Sequence, residues 1–154
     1  MTTIPLKNSN SLLFLNKNQS IDQLSLLESA PTVVLLTAWE QLDTSSFQQI
    51  GLLIEKLIDR GCKYFVCAGK YSELLHDFID DVIIDVSLNA QNENSDNIMT
   101  TWHDADTDDD VADFFLHSTN VSNALLVAYL DKGNPEDRGL EKAVCSLAER
   151  DQKL

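Results

Sequence analysis

His103 stands directly before Asp104, and an imidazole beside a carboxylate can take up and return a proton near neutral pH. Upstream, Ala68-Gly69-Lys70-Tyr71-Ser72 places a glycine and a cation ahead of an expected helix start, which suits an anion. The phosphate reading goes no further, because a P-loop requires GxxxxGK[ST] and a dinucleotide site GxGxxG, and the chain has neither. A glycine strand exit followed by a Ser72 helix cap accounts for the segment. Asp104-Ala105-Asp106-Thr107-Asp108-Asp109-Asp110 has the alternating oxygens that open a calcium loop. Asp109 then occupies the place of the sharp-turn glycine and Phe115 that of the bidentate glutamate, so no metal is expected. Two readings of these acids remain: a helix start stabilised by its dipole, at about 0.3–1 kcal/mol per exposed acid, or an acidic edge that meets a partner. No GxSxG elbow, HExxH pair or Cys/His nucleophile signature is present.

The elements that must position these residues follow from periodicity. Residues 12–15 suit a strand, and 21–27 a short helix capped by Ser20. The continuous β-branched and aliphatic run 32–38 behind Pro31 predicts a strand buried on both faces. A helix capped by Thr44 or Ser45 carries Phe47, Ile50, Ile54, Leu57 and Ile58 until Gly61 stops it. Residues 63–68 form a second buried strand. Ser72 opens a helix with Leu74, Leu75, Phe78 and Ile79, and Val82-Ile83-Ile84 reads as a short strand-like run. Residues 89–97 are a solvated loop, 98–102 a strand, 107–117 a helix burying Val111, Phe114 and Phe115, and 124–130 the last strand. Pro135 suits the first turn of a helix continuing through Leu140, Val144 and Leu147 to about residue 150. Strands alternating with helices predict one doubly wound α/β domain over residues 1–154, a mostly parallel sheet with helices on both faces and residues 1–20 a looser N-terminal segment. Ligands of such sheets bind at the strand carboxyl ends. There stand Trp39 and Glu40; Gly69, Lys70, Tyr71 and Ser72; Trp102, His103 and Asp104; and Asp131, Lys132 and Gly133. A phosphorylation receiver domain would want acids after the first of these strands, where Thr37, Ala38 and Trp39 stand instead.

At 154 residues, 44% apolar and 23% charged, the chain has the size and balance of one globular domain. Its net charge is −14, from 25 acids and 11 bases, and the imbalance is segregated. Tyr71 through Asp131 holds 14 acids and no Lys or Arg, while the rest of the chain is balanced. Such a block repels nucleic acid and acidic membranes and steers basic partners inward. No apolar run approaches the roughly 20 residues of a membrane span, and no secretory signal is apparent, so a cytoplasmic protein is expected. Cys62, Cys67 and Cys145 form no CxxC or zinc spacing. They read as reduced, buried thiols, and strand alternation over five residues predicts Cys62 and Cys67 on opposite faces.

In size, lack of catalytic motif and acidic middle from Glu73 through Asp113, the chain resembles the small immunity proteins that bacteria make against secreted toxins, including those of contact-dependent growth inhibition. The resemblance implies a non-enzymatic, cofactor-free inhibitor that binds a toxin domain, often a basic nuclease, and covers its active site. Electrostatics points the same way independently, since a nuclease must attract a polyanion and an acidic surface can occupy the same field. The expected contact residues are Asp104, Asp106, Asp108, Asp109, Asp110 and Asp113, with Trp102 and Tyr71 as aromatic anchors. The alternative is a small α/β enzyme or ligand-binding regulatory domain using Trp39, Lys70, His103, Asp104 and Asp131.

Overall fold

A computed structural model describes residues 2–22, 30–89 and 97–152. In these residues the strands are β1 (Ile4–Pro5), β2 (Ser11–Asn16), β3 (Thr32–Thr37), β4 (Cys62–Ala68), β5 (Met99–His103) and β6 (Leu125–Leu130). The helices are α1 (Thr44–Asp59), α2 (Ser72–Asn89), α3 (Asp108–His117) and α4 (Pro135–Gln152). One sheet runs in the order β1-β2-β6-β3-β4-β5. Every pairing is parallel except that of β1 with β2. This is the doubly wound α/β architecture expected from the alternation of elements.

Two apolar layers cover the sheet. Val34 and Leu36 of β3 join Ile54, Leu57 and Ile58 of α1 and Leu75 and Ile79 of α2 on one face. Val33 and Leu35 join Phe115 of α3 and Leu140, Val144 and Ala148 of α4 on the other. The alternation along β3 is therefore hidden in the sequence, because both sets are apolar. Burial of each such Leu, Val or Ile contributes about 1.5–3 kcal/mol, and no residue of β3 faces water.

Several expectations change. Of the expected loose segment, the described residues 2–20 are tied to the sheet: β2 pairs with β6 over its whole length, and Leu12, Leu13 and Leu15 are buried. Helix α1 is capped by Asp43, whose carboxylate accepts from Ser46 N–H at 2.8 Å, so Thr44 and Ser45 lie inside the helix. The reason is reach, since the cap must bond the amide three residues on. That bond also holds the Asp43 carboxyl below its usual value. Val82-Ile83-Ile84 is not strand-like but continues α2, because Leu75, Ile79 and Val82 share its buried face at helical spacing and nothing breaks the chain between them. Ser72 is the first residue of that helix and does not cap it; its hydroxyl is buried without a partner. The helix expected over residues 21–27 and the loop over 89–97 fall for the most part outside the described residues.

Cys62 and Cys67 lie in the same apolar layer, against the strict alternation expected for them. Thr32 of β3 pairs with Cys62 and Val33 with Tyr64, so Lys63 is an extra residue, a bulge that resets which face the side chains take. Burial pushes the Cys62 thiol up to about 12 and raises that of Cys67 as well, which keeps both protonated. Cys145 on α4 is only half-buried, not part of the core.

Candidate functional site

The described part of the cation-free stretch folds into α2, β5, α3 and β6; the first three are neighbours at one edge of the sheet, and β6 lies inside it. β5 is the outermost strand beside β4, with α2 on one face and α3 on the other. Glu73, Asp77, Asp81 and Asp85 of α2 are exposed, as are Asp104 and Asp106 after β5 and Asp109, Asp110 and Asp113 of α3. The expected contact acids therefore lie together on this edge. Asp108 alone among them is half-buried, and desolvation, followed by the charge of Asp109, raises its carboxyl. Thr107 caps α3 by accepting from Asp110 N–H at 3.2 Å, which places Asp108, Asp109 and Asp110 in the first turn. The dipole of that turn favours their charge.

The two expected aromatic anchors do not join the acids of α3. Trp102 is 43% exposed but leaves β5 on the α2 side, where its ring lies 4.6 Å from that of His76. Tyr71, at the exit of β4, packs on the α1/α2 layer, with the Lys70 ammonium 5.5 Å over its ring. His103, the next residue after Trp102, takes the opposite face and meets Phe114 of α3 at 4.5 Å. Its Nδ1 lies 2.8 Å from the Asp106 carboxylate and its Nε2 3.1 Å from the Thr101 hydroxyl. Asp104, its sequence neighbour, is not the acid it uses. Lys70 and His103 thus make different contacts at the ends of the adjacent strands β4 and β5, the first over Tyr71 and the second with Asp106, Thr101 and Phe114.

All three histidines of the chain fall in the acidic stretch, and each meets carboxylates. His76 contacts Asp77 at 2.9 Å and Asp80 at 3.4 Å, and Asp80 in turn accepts from the Thr100 hydroxyl of β5. His117 at the end of α3 has Asp113 at 2.7 Å on one nitrogen and Asp151 of α4 at 2.5 Å on the other. Desolvation opposes its charge, but the hydrogen bonds to Asp151 and Asp113 outweigh this and raise its pKa. Among the described residues, no group of three or more His, Cys, Asp or Glu is placed to hold a metal ion.

The sequence reading missed a second polar centre at the strand carboxyl ends. Asp137, in the first turn of α4, is 1% exposed. One of its oxygens accepts from Trp39 Nε1 at 2.6 Å and the other from Asp131 N–H at 2.7 Å, with Lys17 Nζ at 3.8 Å. Lys17, just past β2, also donates to the Thr37 hydroxyl at 3.1 Å. Trp39 and Asp131 were expected at a site, and here they hold Asp137 in place, one by its indole and the other by its backbone. Lys132 and Gly133 complete the turn after β6, where Gly133 N–H donates to Asp131 at 2.8 Å. Nothing local marks Asp137 as buried, since acids are common in first helical turns. The one available hint was Asn134-Pro135, which sets the helix start; Asn134 accepts from Asp137 N–H at 3.0 Å.

Gly69 ends β4 beside this centre at φ +106°, and a Cβ there would fall 2.6 Å from the Ala38 carbonyl oxygen. That oxygen accepts from Tyr71 N–H at 2.9 Å, so the glycine lets two strand exits touch.

Among the described residues no helix is long and apolar enough to cross a membrane. A comparison with curated proteins gives no match. Residues 11–144 match the family described as Domain of unknown function (DUF7684), and because that match runs from the first residue of β2 well into α4, the chain belongs to this family.

Proposed function

We propose that the protein is a non-enzymatic binding protein whose acidic edge, formed by α2, β5 and α3, docks a basic protein partner. The observation that supports this reading is the gathering of the exposed acids of a cation-free stretch on neighbouring elements at one sheet edge. A field of one sign over a continuous surface speeds encounter with a partner of opposite sign and rejects like-charged ones. Trp102, exposed on the outermost strand, supplies an apolar contact on the α2 side. Within that class, the partner that fits best is a basic toxin domain of nuclease type, neutralised as an immunity protein does it, by covering a surface built to attract a polyanion. Nucleic acid and anionic membranes are repelled by the same field.

The experiment is capture and identification of the partner, followed by association kinetics over a salt series with wild type and with Asp108→Asn, Asp109→Asn, Asp110→Asn combined. Exposed charges are screened beyond roughly 8 Å at physiological ionic strength, so the wild-type association rate falls steeply with salt. The triple variant associates several-fold more slowly at low salt, with a shallower slope and a nearly unchanged dissociation rate. Equal rates and slopes for the two proteins refute the acidic edge as the docking surface.

A further inference from the structure

We infer that the crevice at the carboxyl ends of β2, β3 and β6 is a binding site for a small monocarboxylate with an apolar body, a site separate from the acidic edge. Topology marks the position first. β3 and β6 are adjacent, yet α1 follows β3 onto one face and α4 follows β6 onto the other. Adjacent parallel strands whose helices leave to opposite faces open a crevice between their exits, and this is where ligands of open α/β sheets bind.

A cavity of about 220 Å³ lies there. At about 30 Å³ per water molecule, that is the space of roughly seven waters, suited to a short-chain or single-ring acid. Its polar lining converges from four elements: Lys17 after β2, Thr37 ending β3, Tyr129 near the end of β6, and Gln49 on α1. Ile50, Leu53 and Leu75 supply apolar walls from the two helices on that face. Lys17 is the one charged residue among the described residues that line it, so the complementary ligand carries a single negative charge at one end.

The ammonium is already aimed. It donates to the Thr37 hydroxyl at 3.1 Å and to the Thr37 carbonyl at 3.4 Å, while the Asp137 carboxylate stands at 3.8 Å. Asp137 does not line the cavity, and its two oxygens are taken by Trp39 and by the Asp131 amide. It anchors the lysine from behind, and with two ammonium hydrogens on Thr37 the third is left for a ligand carboxylate. The Tyr129 hydroxyl donates to the Lys17 carbonyl at 3.1 Å, tying the lysine backbone to β6. A carboxylate bound here accepts from Lys17 and Gln49, and its apolar body lies against Ile50, Leu53 and Leu75.

The test is NMR titration of the ¹⁵N-labelled full chain with butyrate, hexanoate and phenylacetate, each beside its uncharged primary amide. The expected result is saturable shifts at Thr37, Leu53 and Tyr129 for at least one acid, with the matching amide at least tenfold weaker. Lys17→Met removes the preference for acid over amide. Because that change leaves Asp137 without its cation and can unfold the chain, Leu53→Trp provides the second variant: it fills the cavity, spares the ion pair and abolishes the shifts. The inference is overturned if no acid shifts these residues at millimolar concentration, if acid and amide bind alike, or if Leu53→Trp binds as wild type does.

Discussion

At the scale of single residues, Asp137 and Gly69 carry more of the structure than any acid on the surface. Asp137 is a buried charge satisfied from three directions, by Trp39, the Asp131 amide and Lys17. Removing one partner of such a centre leaves the others desolvated and unpaired. Asp137→Ala is expected to destabilise the fold by about 3–5 kcal/mol, read as a lower urea midpoint with an unchanged slope. Asp137→Asn, which keeps shape and one acceptor, is expected to cost less. Gly69→Ala combines a left-handed backbone with a Cβ placed 2.6 Å from a carbonyl oxygen that cannot move without breaking its bond to Tyr71. Backbone strain alone is about 1–2 kcal/mol. The same urea titration is expected to show a larger loss than that, and Gly69→Asn, which tolerates positive φ but meets the same oxygen, does not rescue it.

At the scale of elements, the pairing of α3 with α4 is expected to depend on pH. His117 on α3 bridges Asp113 of its own helix and Asp151 of α4. Both of its nitrogens face carboxylates, so the doubly protonated ring suits the site, and its folded pKa lies above the ordinary 6.5. A raised histidine pKa means that the stabilisation is fully present below 6.5 and is lost as pH rises through the raised value. With the ring one-third exposed, the contribution is expected to be that of a surface pair, at most about 1 kcal/mol. Urea midpoints measured from pH 5.5 to pH 8.5 are therefore expected to show a larger gap between wild type and His117→Gln at the acid end. A gap independent of pH would assign His117 a packing role only. The helix boundaries show the same interplay of local and tertiary causes: Asp43 and Thr107 cap by their own chemistry, whereas α2 extends past Ile79 because the sheet supplies an apolar face for Val82 to meet.

For the whole molecule, a net charge of −14 with many of its acids gathered at one edge sets like charges against each other in the folded state. Screening relieves that repulsion. Raising sodium chloride from about 10 mM to 200 mM is expected to stabilise the wild type by about 1 kcal/mol, which for a chain of this size raises the thermal midpoint by roughly 2–4 °C. The Asp108, Asp109, Asp110 triple-Asn variant is expected to respond less, since fewer charges remain to screen. A midpoint independent of salt would mean that the histidines and helix dipoles of the edge already neutralise it.

The sequence by itself determined the order and type of the core elements, because apolar period, Gly61, Pro135 and the run at Val33-Val34-Leu35-Leu36 are local signals that tertiary packing reinforces. It also determined where the charge lies along the chain. Three things were decided only in three dimensions. The face taken by Cys62 depends on a one-residue bulge opposite Thr32, which is a mismatch between two strands and leaves no mark in either. The division of Trp102 and His103 between α2 and α3 follows from strand alternation once both faces of β5 are covered. The Lys17–Asp137 centre joins residues 120 positions apart through the adjacency of β2, β6 and β3. Neither residue is unusual in its own segment, and each acquires its role because the sheet brings a lysine within 3.8 Å of a first-turn acid that is buried to 1% exposure.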